Sequence, residues 1–148
     1  MALAVALELV ACVLLVSIEG VAHAAVRPIP EHAWTIEARN TLATVLAVEG
    51  CNEVDRRAIP FVLARRWRMQ RRGWSFARQI FLYSTPLRTG RVKVRMATNE
   101  ERVELDAWAR GEVADPCGAV HFASRSIVPL DHPLRVCPNA RNIFLRGR

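Results

Sequence analysis

Glu49 is a lone carboxylate closing an apolar helical stretch, Leu42, Val45, Leu46 and Val48, just before Gly50. A carboxylate at the C-terminal end of a helix meets the negative end of the macrodipole, and apolar neighbours desolvate its charged form. Both effects raise its pKa, the condition under which a carboxyl keeps its proton near neutral pH and acts as a general acid. The alternative is a solvated glutamate in the last turn of a surface helix. Glu53 and Asp55 follow closely, but both stand at the start of the next helical segment, where capping and the positive end of the dipole favour ionisation without catalysis.

Two further constellations could carry chemistry. Cys117-x3-His121 and His132-x4-Cys137 have the ligand types and spacing of a Cys2His2 zinc site. In an oxidising compartment the same two cysteines would instead pair, and closing a loop of about 20 residues would stabilise the fold by roughly 3 kcal/mol. Arg65, Arg66, Arg68, Arg71 and Arg72, with Trp67 and Trp74 among them, form a basic and aromatic patch. Cations beside stacking surfaces are what single-stranded nucleic acid binding needs. The same arrangement also describes the solvated end of a helix whose Trp67 faces the core.

The 148 residues allow one domain, and an apolar fraction of 51% suffices for one buried core. Part of that fraction lies at the N-terminus, where residues 2–7 and 9–18 are nearly all hydrophobic and the first basic residue is Arg27. With Ala22-His23-Ala24 as an A-x-A pattern, residues 1–24 read as a secretory signal or a retained membrane anchor. Glu8 and Glu19 interrupt the run, and Leu9-Val10-Ala11-Cys12 offers a lipobox-like sequence. Export favours the Cys117–Cys137 disulfide over zinc and leaves His121 as a groove or packing residue. Cys51 is then unpaired and expected as a small buried residue beside Glu49.

The formal charge is +7, and 20 of the 21 basic residues are arginine. Such a surface attracts polyanions of any kind, including nucleic acid, anionic lipid and the acidic polymers of a bacterial wall.

These residues must be positioned by helices. Thr35 can cap a helix whose apolar positions, Ile36, Leu42, Ala43, Leu46 and Ala47, follow the 3.6-residue period up to Glu49 and Gly50. Asn52 can cap a second, with Ala58, Ile59, Val62, Leu63 and Trp67 inward; Pro60 predicts a bend there or a start only near Ile59. Ser75 can cap a third, carrying Phe76, Ile80 and Tyr83 and stopped by Thr85-Pro86. Val92 and Val94 alternate with charged residues, as in a short strand or an extended connection. Thr98 with Glu101 makes a capping box ahead of Val103, Leu105 and Trp108, and Gly111 ends that fourth helix. From Asp115 onward four prolines exclude long regular elements, predicting loops held by a disulfide or a metal. No internal repeat or low-complexity tract occurs.

One set of features is Leu42-Ala43-Thr44-Val45-Leu46-Ala47-Val48-Glu49-Gly50, then Asp55 with Ala58-Ile59 and Val62-Leu63, then Arg66. The second half adds Gly111, Asp115-Pro116-Cys117, Gly118-Ala119, His121-Phe122 and Asn142-Ile143-Phe144. In this order they resemble the bacterial cell-wall hydrolase family that includes the spore-cortex-lytic enzymes. Pro60 and the density of arginine from Arg65 to Arg72 depart from the pattern. The likeness implies a mainly α, lysozyme-like small helical domain over residues 25–148 with a loop-rich, disulfide-held tail. It implies an exported lytic transglycosylase, needing no cofactor or metal, that cleaves peptidoglycan glycan strands. Glu49 would first protonate the leaving oxygen and then, as base, remove a proton from the muramyl C6 hydroxyl, so that one carboxylate suffices where other glycosidases use two. Tyr83, His121 and Asn142 would line the sugar groove, and the arginine patch would hold anionic wall polymers. Nucleic acid is not the expected partner, and membrane contact would come only through the N-terminal segment. Two rival readings are a non-catalytic wall-binding relative and a zinc-stabilised nucleic-acid-binding protein using the arginine face.

Overall fold

The computed structural model describes residues 26–148, so the segment read as a secretory signal or anchor, its Ala22-His23-Ala24 pattern and Cys12 lie outside the described residues. A 3₁₀ turn, Glu31–Ala33, leads to Thr35, whose side chain accepts from the Ala38 N–H and opens α1, Ile36–Glu49. The Asn52 side chain accepts from the Asp55 N–H and opens α2, Glu53–Met69. Ser75 does the same for Arg78 and opens α3, Phe76–Tyr83. A one-turn helix, α4, spans Thr85–Arg88, and α5, Asn99–Ala109, starts in the reciprocal capping box of Thr98 and Glu101. Each cap satisfies a backbone donor that the first helical turn leaves free.

Three local expectations are resolved or corrected. α2 starts at Glu53 and carries Pro60 within it, so the Arg56 carbonyl lacks its i+4 donor. Thr85-Pro86 stops α3 but also begins α4, because proline pre-sets the backbone of a first helical turn. Residues 91–96 form an extended connection, and the side chains of α1 take the place of a neighbouring strand. The Arg95 N–H donates to Thr44 Oγ1 (3.1 Å) and the Ala97 N–H to Asn40 Oδ1 (2.9 Å).

The tail was expected to be loops alone, and it contains a small antiparallel sheet. Its strands are β1, His121–Ala123, β2, Arg135–Val136, and β3, Ile143–Leu145, in the order β1-β3-β2. Phe122 stands opposite Phe144 in one ladder and Val136 opposite Phe144 in the other. Two or three residues per strand are too few to leave an alternating pattern in the sequence. Cys117 and Cys137 are joined as a disulfide, their Cα atoms 5.3 Å apart. That bond takes the two thiols which the Cys2His2 alternative needs as ligands.

α1 is the central element. Thr41 through Val45 are all buried, which requires neighbours on more than one side, and α2, α3 and α5 supply them. Leu42, Val45, Ile59, Val62, Leu63 and Ile80 are each at most 1% exposed, and burial of such side chains contributes about 1.5–3 kcal/mol apiece. An aromatic cluster joins the helices: Phe76 stacks on Trp108 at 6.2 Å and meets Trp67 edge-on at 5.9 Å. Asp106 on α5 accepts from Trp34 Nε1 (2.8 Å) and Arg39 Nε (2.9 Å), pinning the chain before α1 and α1 itself to α5. The turn from α1 to α2 is tight enough that a Cβ on Gly50 would lie 2.5 Å from the Leu46 carbonyl oxygen. The described chain is thus mainly α with a disulfide-held tail.

Candidate active site

Glu49 is the last residue of α1, and Ser84 is the C-cap of α3. Because α1 and α3 pack together, the two helices end at one place. There the Ser84 hydroxyl, on a residue only 2% exposed, donates to Glu49 Oε1 across 2.7 Å. Burial raises the Glu49 pKa, and the Ser84 hydrogen bond, which favours the charged form, partly offsets the rise. The desolvation comes from tertiary neighbours more than from the preceding helix face. Leu42 and Val45 are buried, but Ala47 and Val48 point to solvent.

Tyr83, beside Ser84 in sequence, turns its phenol toward the tail. Its Oη lies 2.8 Å from His121 Nδ1 and 3.1 Å from the Phe122 carbonyl, and it accepts from the Phe122 N–H at 3.2 Å. Burial is the largest cause raising the Tyr83 pKa, and the Glu49 charge adds to it, while the Phe122 carbonyl and the Arg66 charge work against it. The phenol therefore stays protonated. His121 is pushed down, first by desolvation and then by Arg66, which favours a neutral ring. The Arg66 guanidinium lies 4.9 Å over the Tyr83 ring, a cation–π placement. One carboxyl group with a raised pKa thus stands among neutral hydrogen-bonding groups and one cation.

Asn142, the residue before β3, reaches the same helix end. Its side-chain Nδ2 donates to the Glu49 carbonyl (2.7 Å) and its backbone N–H to Asp55 Oδ1 (3.0 Å). The first bond satisfies a carbonyl that the last turn of α1 leaves free. The structure therefore brings Glu49, Tyr83, His121 and Asn142 together around one helix end. Ser84 joins them and was missed, because a serine between a helix stop and a Thr-Pro pair carries no distinguishing signal.

The nearby acids go elsewhere. Asp55 is fully buried and serves as the anchor for Asn142, whereas Glu53 is exposed and pairs with Arg57 at 2.5 Å. Cys51 corrects an expectation: it is exposed and free, its sulfur 3.6 Å from the Glu49 carbonyl. It lines a surface cavity of about 880 Å³ together with Asn52, Arg56, Pro60, Trp108 and Val113. Neither Glu49 nor Ser84, Tyr83 and His121 lines that cavity, so size alone does not mark the site.

The arginine patch is divided. Arg65 pairs with Asp115 and donates to the Ala119 carbonyl at 2.7 Å, bracing the tail against α2. Arg68 donates to the Arg27 carbonyl at 3.0 Å. Trp67 packs on the core and donates through Nε1 to the Trp74 carbonyl at 2.8 Å. Arg66, Arg71 and Arg72 remain together at one cavity. The disulfide is the chemistry of an oxidising compartment. Among the described residues no helix is long and apolar enough to cross a membrane. No protein-family model, curated protein or solved structure matches the chain.

Proposed function

We propose that the protein is an exported enzyme that cleaves peptidoglycan glycan strands, with Glu49 as general acid and then general base. The observation that carries this reading is Glu49 itself: a half-buried carboxyl with a raised pKa, held by Ser84 and facing neutral donors at the junction of helices and tail sheet. A glycosidic oxygen is a poor leaving group until protonated, and a carboxyl that keeps its proton near neutral pH supplies that proton in the transition state. Once ionised, the same group is a base. The Ser84 hydrogen bond stabilises that ionised form between the two steps. Tyr83 and His121 offer hydrogen bonds and a ring face to a sugar, and the free amide oxygen of Asn142 can accept from an N-acetyl group. A glutamate ending a central helix beside a small antiparallel sheet is consistent with a lysozyme-like arrangement. The one-carboxylate, lytic transglycosylase outcome is supported by the duties of the neighbouring acids, since Asp55 anchors the tail and Glu53 is paired in solvent. Export is supported by the disulfide together with the apolar, A-x-A-ending residues 1–24.

Incubation of the protein with purified peptidoglycan, followed by mass analysis of the soluble products, tests the reading. Fragments ending in anhydro sugars, lighter by one water than hydrolysed ends, are the expected result. Reducing ends alone would remove the transglycosylase outcome but keep glycan cleavage. Absence of released fragments would remove both.

A further inference from the structure

Arg66, whose guanidinium lies over the Tyr83 ring, opens onto a second cavity of about 370 Å³, lined also by Met69, Arg71, Arg72, Trp74 and Gln79. No Asp or Glu lines it. Among the described residues none of these three guanidinium groups takes part in an ion pair, and Arg66 Nε is buried without a hydrogen-bond partner. Gln79 is only 7% exposed and borders the same cavity. It lies four residues before Tyr83 on α3, so the two share one helix face.

The wall of the cavity is built, not a loose surface loop. Gln70 Oε1 accepts from the N–H groups of Arg72 (2.8 Å) and Trp74 (3.3 Å), and Trp67 holds the Trp74 carbonyl. The Trp74 ring is flanked by the guanidinium groups of Arg72 at 4.9 Å and Arg78 at 5.6 Å. Unpaired like charges repel and a buried guanidinium nitrogen without a partner is costly, so an anion with planar acceptor oxygens would relieve both. Guanidinium forks match a carboxylate in two-point geometry. Met69 and Trp74 add an apolar wall, which suits a carboxylate borne on carbon better than a bare phosphate.

We infer that this cavity is a carboxylate subsite of the Glu49 groove, receiving the free carboxyl end of a peptide carried by the glycan. The inference rests on the proposed glycan-cleaving function and names the substituent that the enzyme recognises. Arg66 links the two places, since its guanidinium lies over Tyr83 on one side and lines the cavity on the other.

The test uses the full chain carrying Glu49→Gln, titrated with acetyl-alanyl-alanine and with its C-terminal amide while tryptophan fluorescence is followed. The acid should bind at least about tenfold more tightly than the amide, the scale of a charge-assisted bidentate contact. The preference should vanish in the Arg71→Gln, Arg72→Gln double variant, whose replaced side chains are exposed and unpaired, and shrink with added salt. Soluble glycan fragments bearing peptide stems should bind about tenfold more tightly than fragments stripped of them. Equal binding of acid and amide, a preference that survives the double variant, or inorganic phosphate competing as well as the acid would each overturn the subsite. Wall cleavage by the wild-type chain would then still stand. Binding of the acid with no binding of either glycan fragment would instead overturn the placement on a glycan, and the proposed function with it.

Discussion

The Ser84 hydroxyl donates to Oε1 of Glu49 across 2.7 Å, although 35 residues separate them in the chain. Each stands at the end of its helix, so the packing of α1 on α3 assembles the pair. Burial and this hydrogen bond act in opposite senses on one carboxyl.

Glu49→Gln keeps the side chain's shape and removes its proton. Wall-cleaving kcat/KM should fall at least about 10²-fold, the lower bound for loss of a general acid. Stability should also respond. The folded pKa lies above the ordinary 4.5, so the wild-type carboxyl costs nothing below that value and destabilises the fold as pH rises through the raised one. The glutamine variant should lack this loss, and urea denaturation across that window compares the two. Retention of more than about a tenth of the activity would remove Glu49 from the mechanism.

Ser84→Ala removes the donor that favours the ionised form, so the Glu49 pKa should rise further. The alkaline limb of the kcat/KM profile, where the general acid loses its proton, should move to higher pH. The maximal rate should drop as well, because the base is no longer steadied. An unmoved alkaline limb would mean that another group sets it.

Asp55→Ala leaves the half-buried Asn142 N–H without its acceptor and should cost about 1–3 kcal/mol. Glu53→Ala, two positions away, breaks only a solvent-exposed pair with Arg57 and should cost under about 0.5 kcal/mol. Urea midpoints of the two variants measure the contrast. Comparable costs would show that Asp55 is not the anchor of the tail.

Protease digestion without reduction should yield the Cys117 and Cys137 peptides linked, with Cys51 free to react with a thiol reagent in the folded protein. Cys117→Ser should lower stability by roughly 3 kcal/mol for a closed loop of about 20 residues. A free Cys117 thiol in protein recovered from an oxidising compartment would contradict this.

Helix starts were legible because they are local. Thr35, Asn52, Ser75 and Thr98 each bond a backbone donor three residues ahead, and that relation is written in the sequence. The β-sheet was not, because β3 is completed by partners 20 to 24 residues away in the chain on one side and 8 to 10 on the other, in strands too short to alternate. Cys51 illustrates the same limit: proximity to Glu49 in sequence said nothing about burial, which depends on what packs from outside the segment.

By itself the sequence determined the helix caps, the helical class, the pairing-competent cysteines and the carboxylate at the end of α1. Only the tertiary structure decided what that carboxylate meets. A macrodipole and a cap are effects within one turn of chain, whereas desolvation is the sum of everything that displaces water. For Glu49 the displacing groups include Ser84, held there by helix packing, and Asn142, carried to the Glu49 carbonyl by the tail.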